Sequence, residues 1–405
     1  MKYIIIVIDG AADYRIKKLN NKTPLQYAKT PVIDKIVKDS EMGTARTVPD
    51  GMAPGSDVAN LSVLGYDPKK YHTGRASLEA ASMGINLLEK DVAFRCNLVT
   101  LSEEYDYTDR VMIDYSAGEI PTDKARVLIR DIKNKLQTEE IRFYAGVSYR
   151  HIIVWKGGPD RNILTPPHDI LGKEIGEFLP RGPGENVLLG MIIKSIALLK
   201  GHIINKKRIE DGKKPANSIW IWGEGKKPSL DSFYGKYKLK GSIISAVDLV
   251  RGIGVLAGLE PVTVEGATGN INTNFSGKAD AAVSQLIGGK DFVFIHVEAA
   301  DECSHHGDVE NKVKAIEIID SKVVGAVKKA MDKEEIDYKM MVLPDHYTPI
   351  RRRTHTPEPV PFLIYDSTRT AGGRFKKFDE FKAKGTGLCF EEGYRLIDYF
   401  FGKEG

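Results

Sequence analysis

The chain has 405 residues, 42% of them hydrophobic, with 59 lysines and arginines against 55 acids and a net charge of +4. That length predicts two domains with substantial cores, and a near-neutral balance without a basic block argues against nucleic acid as the main partner. Three cysteines without a CxxC spacing speak against a disulfide framework or a zinc finger, and no apolar run approaches the roughly 20 residues needed to span a bilayer.

The first block, up to about residue 90, opens with the strand-like run Tyr3-Ile-Ile-Ile-Val-Ile-Asp9. Because Met1-Lys2 leads directly into that strand, a cleaved signal peptide is not expected, and the cytoplasm is the expected compartment. A polar glycine-containing segment, Thr47 to Asp57, precedes the helix-like stretches Val58–Leu64 and Ser77–Met83.

The second block, about 91–235, alternates separately: strand Ala93–Leu101, helix Asp123–Lys135, strands Ile141–Tyr144 and His151–Trp155, helix Glu185–Leu199 and strand Asn217–Trp222. This predicts a compact α+β unit of ferredoxin-like type. From Lys236 onward βαβ alternation returns, with strands ending at Asp301 and Asp345, a helix over Asn311–Met331 and a last strand at Pro361–Tyr365. The simplest arrangement is a discontinuous α/β core, 1–90 plus 236–405, with 91–235 inserted as a cap.

In a parallel α/β sheet, ligands sit beyond the carboxyl ends of the strands, so Asp9, Asp301 and Asp345 are expected to converge there. Converging carboxylates repel unless a cation joins them. His305, His346 and His355 follow closely, which makes a divalent metal the natural cation and supplies enough ligands for two. Each residue alone also has a plainer reading, Asp9 and Ser56 as N-caps of the helices that follow them. A serine at a helix N-terminus nevertheless meets backbone N–H groups and a positive dipole end that favour an anion. Asp57 would then be a first-turn acid and Asn60 a phosphate contact.

The segments Val7-Ile-Asp-Gly10, Pro54-Gly-Ser-Asp-Val-Ala-Asn-Leu61, Val297-Glu-Ala-Ala-Asp-Glu302 with His305, Leu343-Pro-Asp-His346 and Thr354-His-Thr-Pro357 resemble the archaeal-type cofactor-independent phosphoglycerate mutases of the alkaline phosphatase superfamily. The resemblance runs over nearly the whole chain, including Ala93–Val99, Asp114–Gly118, Pro166–Asp169 and Pro215–Gly223. It implies an α/β fold with a mostly parallel sheet sandwiched by helices, and a cytoplasmic isomerase of glycolysis and gluconeogenesis. One metal would be held by Asp9, Ser56, Asp345 and His346, the other by Asp301, His305 and His355. Manganese is the cofactor implied, while zinc or magnesium would fit parts of this mixed set. Glu298, His306 and Asp308 would support the ligands by hydrogen bonds.

The implied reaction moves a phosphoryl group from 3-phosphoglycerate to Ser56 and back to the 2-hydroxyl of glycerate, which requires a cap that keeps water from the phosphoserine. Within the cap, Arg95, Arg150 and Arg208 are the expected clamps for the small-molecule phosphoglycerate, with His168 and Asp114 as proton handlers. No membrane partner is expected, and homo-oligomerisation is left open. Two other functions stay in view: a phosphatase or phosphotransferase of homoserine kinase-like type on another small phosphate ester, and a non-catalytic metal-binding scaffold. Gly252-Ile-Gly-Val-Leu-Ala-Gly258 has the wrong spacing for a dinucleotide fingerprint.

Overall fold

The structure is a computed structural model that describes residues 1–369, 373 and 375–403. It divides into two compact units, 1–72 with 229–405 and 73–228. The first unit is built on an eight-stranded mixed sheet. At its centre, Lys2–Ile8 lies between Tyr338–Leu343 and Phe292–Val297, all three parallel. Ile4 to Ile8 have no exposed surface, as expected of a strand covered on both faces. Gly241–Ile244 and Glu260–Val262 extend the parallel part, while Val360–Asp366 and Ser40–Ala45 continue the other side in antiparallel pairing and Cys389–Phe390 ends it, parallel to Ser40–Ala45.

The register matches Ile8 with Val297 and Val7 with Leu343, so the three strands end at one level. Two expectations change here. The strand expected to end at Asp301 stops at Val297, because Glu298 already has helical backbone angles, and Asp301 lies in the first turn of the helix Ala299–His306. The expected helix 311–331 is interrupted by a π turn at Asp320–Val324. That turn aims the buried Asp320 carboxylate at the N–H groups of Val32 and Ile33, 3.1 and 2.7 Å away, at the start of the helix Pro31–Ile36.

The second unit has five antiparallel strands. Counting Val92–Leu101, Ile141–Tyr144, Arg150–Trp155 and Ser218–Lys226 as first to fourth, the sheet order is fourth, first, third, second. With the helices Thr122–Leu136 and Glu185–Leu199 between them, this is a ferredoxin-like arrangement. Residues 73–90, expected in the core, group with this unit because Ala76, Ala80 and Leu87 pack against Ala93, Ile152 and Val154. Trp220 and Trp222 are buried, with their indole N–H groups satisfied by Thr165 O and Asn97 Oδ1. Gly254 sits where a Cβ would come within 2.5 Å of Ile243, so this glycine serves close helix-on-strand packing. Among the described residues, no single helix is long and apolar enough to cross a membrane.

Candidate active site

In the first unit, Asp9, Asp345 and His346 offer ligand atoms within 4.8 Å of one another, and so do Asp301, His346 and His355. The clustering depends on Gly10. Its φ of +62° is left-handed, and a Cβ there would lie 2.5 Å from Asp301 Oδ1. Asp345 is held rigidly: its Oδ1 accepts from Gly10 N and His346 N, and its Oδ2 accepts from Asn60 Nδ2 at 2.8 Å. Asn60 also donates to Ser56 O, so its amide is committed to positioning Asp345 rather than to the phosphate contact expected of it.

Ser56 is the first residue of the helix Ser56–Val63, and its Oγ lies 3.2 Å from His346 Nε2. The same Nε2 is 3.5 Å from Asp345 Oδ2 and 3.6 Å from Asp9 Oδ1. On the other side, Asp301 Oδ2 is 3.0 Å from His305 Nε2, Asp301 Oδ1 is 3.5 Å from His355 Nε2, and the two histidine Nε2 atoms are 3.0 Å apart. His305 Nδ1 donates to Arg353 O, which leaves Nε2 as the ligating atom of the neutral ring.

Burial and the neighbouring charges set the protonation of this cluster. Burial, and then repulsion from Asp345, Asp301 and Glu298, pushes the Asp9 carboxyl well above the usual range. Burial also opposes ionisation of Asp301, but His305 and His355 hold it well below that range. His305 is raised to about 9 by Asp301 against the effect of burial, whereas burial takes His346 down to about 4.

A divalent ion fits these residues. Asp9 Oδ1 is buried without a hydrogen-bond partner. A tetrahedral ion with bonds of about 2.0–2.2 Å has ligand-to-ligand edges of roughly 3.3–3.6 Å, in the range of the separations around His346 Nε2.

Further residues, not anticipated from sequence, support the acids. His296 Nε2 lies 3.1 Å from Asp9 Oδ2, and its Nδ1 is 3.3 Å from Ser245 Oγ. Lys278, fully buried, donates to His296 O, and Glu298 and Asp9 partly offset the burial that takes its pKa down to about 8. Glu298 can sit there because residue 269 is glycine, whose Cβ would fall 2.0 Å from Glu298 Oε2. A histidine within the apolar run Phe292–Val297 was the one visible sign of this layer. Of the other expected supports, His306 is exposed and bonded to Glu302 O, and Asp308 caps the helix Val309–Ile319 through Asn311 N.

The second unit holds a basic and aromatic cluster. Arg95 is 8% exposed, lies 3.1 Å from Glu79 and stacks over Trp222 at 4.0 Å. Burial, opposed by Glu79 and reinforced by Arg75 and Arg150, lowers its pKa. His168 meets the edges of Trp222 and Tyr115, and burial lowers its pKa with help from Arg95 and Arg75. Arg150 is exposed beside Tyr149.

Two expected members have other tasks. Arg208 is buried and donates to Lys214 O at 2.9 Å and Ala117 O at 2.5 Å, which staples two loops together. Asp114 organises its own turn through Ser116 and Gly118 and pairs with Lys214 at 2.7 Å. Burial would raise the Asp114 carboxyl, but those donors hold it at about 2, too acidic for a proton handler near neutral pH.

An α/β sheet with carboxylates and imidazoles gathered at its strand ends beside a helix-borne serine defines a class of metal-dependent phosphoryl-transfer proteins. The comparisons sharpen this. A family profile for 2,3-bisphosphoglycerate-independent phosphoglycerate mutase matches residues 38–205. A Methanosarcina barkeri protein carrying that name is 48% identical over 98% of this chain and 98% of its own length. A Geobacter sulfurreducens protein named as a probable member is 48% identical over 98% and 99%. Among solved structures, a Pyrococcus horikoshii protein aligns over 100% of this chain and 98% of its own with a TM-score of 0.81 and 28% identity. The cofactor-independent phosphoglycerate mutase of Thermoplasma acidophilum aligns over 99% of both chains with a TM-score of 0.65 and 26% identity. The chain belongs to the 2,3-bisphosphoglycerate-independent phosphoglycerate mutase family.

Proposed function

We propose that this chain interconverts 3-phosphoglycerate and 2-phosphoglycerate without bisphosphoglycerate, by way of a phosphoserine at Ser56. The observation that carries the reading is the Ser56 hydroxyl at the head of a helix, 3.2 Å from His346 Nε2 within the acid and imidazole cluster, in a chain of this family. Asp9, Ser56, Asp345 and His346 would hold one divalent ion and Asp301, His305 and His355 the other, with manganese as the favoured metal. Such ions, when bound, would offset charge on the phosphoryl oxygens and make the serine hydroxyl more acidic.

The residues of the chain do the rest. Ser56 Oγ gives up its proton and forms a bond to phosphorus as the bond from phosphorus to the glycerate 3-oxygen breaks, and the leaving oxygen takes up one proton in exchange, so that the proton count is unchanged. The reverse sequence on the 2-oxygen returns the group. The first turn of the Ser56–Val63 helix presents N–H groups and a positive dipole end to the phosphoryl oxygens. Asn60 fixes Asp345 against the serine backbone, so nucleophile and carboxylate keep their spacing. We further propose that residues 73–228 act as a substrate-recognising cap, in which Arg75, Arg95 and Arg150 bind anionic groups of the substrate.

The test is a coupled assay of manganese-loaded protein on 3-phosphoglycerate without bisphosphoglycerate. Formation of 2-phosphoglycerate is expected. Absence of conversion with two metal equivalents retained would assign the site to another phosphate ester.

A further inference from the structure

Thr348 is fully buried among the acids and histidines of the first unit. Its Oγ1 lies 2.5 Å from Asp301 Oδ1 and 3.1 Å from His346 Nδ1. Asp301 and His346 fall in different halves of the ligand set described above, so one hydroxyl touches both. Its backbone is pinned: Thr348 N donates to Ala12 O, and Thr348 O accepts from Lys312 Nζ, which forms a buried ion pair with Asp13 at 2.8 Å.

The proton direction follows from the inventory of donors. A threonine hydroxyl has one proton. A 2.5 Å separation from a carboxylate oxygen is that of a charge-assisted bond in which the hydroxyl donates. What Oγ1 then presents to His346 is a lone pair, and a stable contact at 3.1 Å requires an N–H on Nδ1. The lone pair of the neutral ring is thereby placed on Nε2, the atom that faces Ser56, Asp345 and Asp9. His305 obtains the same orientation from a backbone carbonyl, which is an acceptor under all conditions. His346 obtains it from a hydroxyl whose own proton is held by a carboxylate of the other half-site.

We infer that Thr348 is a positioning residue that fixes His346 in its Nδ1–H tautomer and couples the two halves of the ligand set through Asp301. The coupling rests on the two-ion reading above, whereas the tautomer does not.

The experiment uses the full chain with His346 followed by nitrogen-15 NMR in metal-free protein, and manganese binding followed by calorimetry, for wild type, Thr348→Ser and Thr348→Val. Wild type and the serine variant are expected to hold His346 as the Nδ1–H tautomer and to take up manganese alike. The valine variant is expected to lose that preference and to bind the first manganese roughly 10–100-fold more weakly, the usual scale for loss of a ligand-orienting hydrogen bond. An Nε2–H tautomer in the wild type would overturn the inference even if the valine variant failed to fold. Unchanged manganese binding in a folded valine variant would overturn the coupling. A wild type with the expected tautomer but no mutase turnover would leave this inference standing and remove the proposed reaction instead.

Discussion

The two units concentrate charge in opposite ways. In the first, three carboxylates and three imidazoles gather where parallel strands end, and the strain shows in Asp9, whose carboxyl resists ionisation through burial and the repulsion of its neighbours. In the second, Arg95 is buried against an indole face with Arg75 and Arg150 near enough to disfavour its charge. Under the proposed function a cation would relieve the first cluster, whereas Arg95 in the second already meets one anion, Glu79, at 3.1 Å. A buried charge is costly unless a partner meets it, so the ligands proposed for the two clusters are of opposite sign.

The sharpest way to break this contrast is at the nucleophile. Ser56→Ala should lower turnover by about 10⁴-fold or more and abolish labelling by substrate phosphate, with weaker binding of the ion that Ser56 helps to hold and thermal stability nearly intact. Unchanged turnover, measured in the coupled assay, would sink the mechanism.

Metal uptake comes next. At neutral pH His305, raised to about 9, holds a proton that an ion must displace. Manganese affinity should therefore climb from pH 6 towards pH 9, by about tenfold per unit for each proton released. Calorimetry in buffers of different ionisation enthalpy would show the release, and a flat profile would contradict the protonated resting state.

The arginines should separate by burial. Arg150→Ala is expected to raise KM by roughly 10–100-fold, the scale of a lost charge-assisted hydrogen bond, with little change in Tm. Arg95→Met should raise KM and also lower Tm, because Glu79 loses its ion-pair partner. If both variants lose only stability, the cluster is structural.

The smallest effect should come from Glu380, a buried acid of the first unit outside the ligand cluster. Burial pushes its carboxyl up to about 7 from 4.5, despite donors from Asp13 N and Thr23 Oγ1. The folded state then binds a proton that the unfolded chain has released, so this group's stabilisation is complete below pH 4.5 and is lost as pH rises through about 7. Glu380→Gln should flatten the pH dependence of denaturant unfolding in that window without altering turnover. A steeper dependence in the variant would reverse the assignment.

Much of this was legible before any coordinates. Asp9 and Asp345 could be placed because apolar runs in βαβ alternation predict parallel strands, whose carboxyl ends share one side of a sheet. Asp301 does lie beside His346 and His355, but on a helix rather than at a strand end, since Val297-Glu-Ala-Ala continues an apolar pattern that strand and helix share. The boundary expected at residue 90 falls at 72, because the small residues of 75–82 carry no mark of which sheet they will cover.

Arg208 and Asp114 illustrate a different limit. A charged side chain in sequence announces a need for a partner without naming one, and here the partners are backbone groups of neighbouring loops. Thr348, Lys278 and His296 were hidden for a related reason. Their roles depend on distances between segments far apart in the chain.

By itself, the sequence determined which acids, histidines and serine are present and their order along the chain, and its motifs carry the likeness to the family to which the chain belongs. Only the tertiary structure decided that Ser56 meets His346, that Thr348 touches both Asp301 and His346 and that Gly10 makes room for Asp301. Those contacts are fixed by how strands from the two ends of the chain come into register, and hydrogen bonds lose their strength within fractions of an ångström of the distance that packing sets.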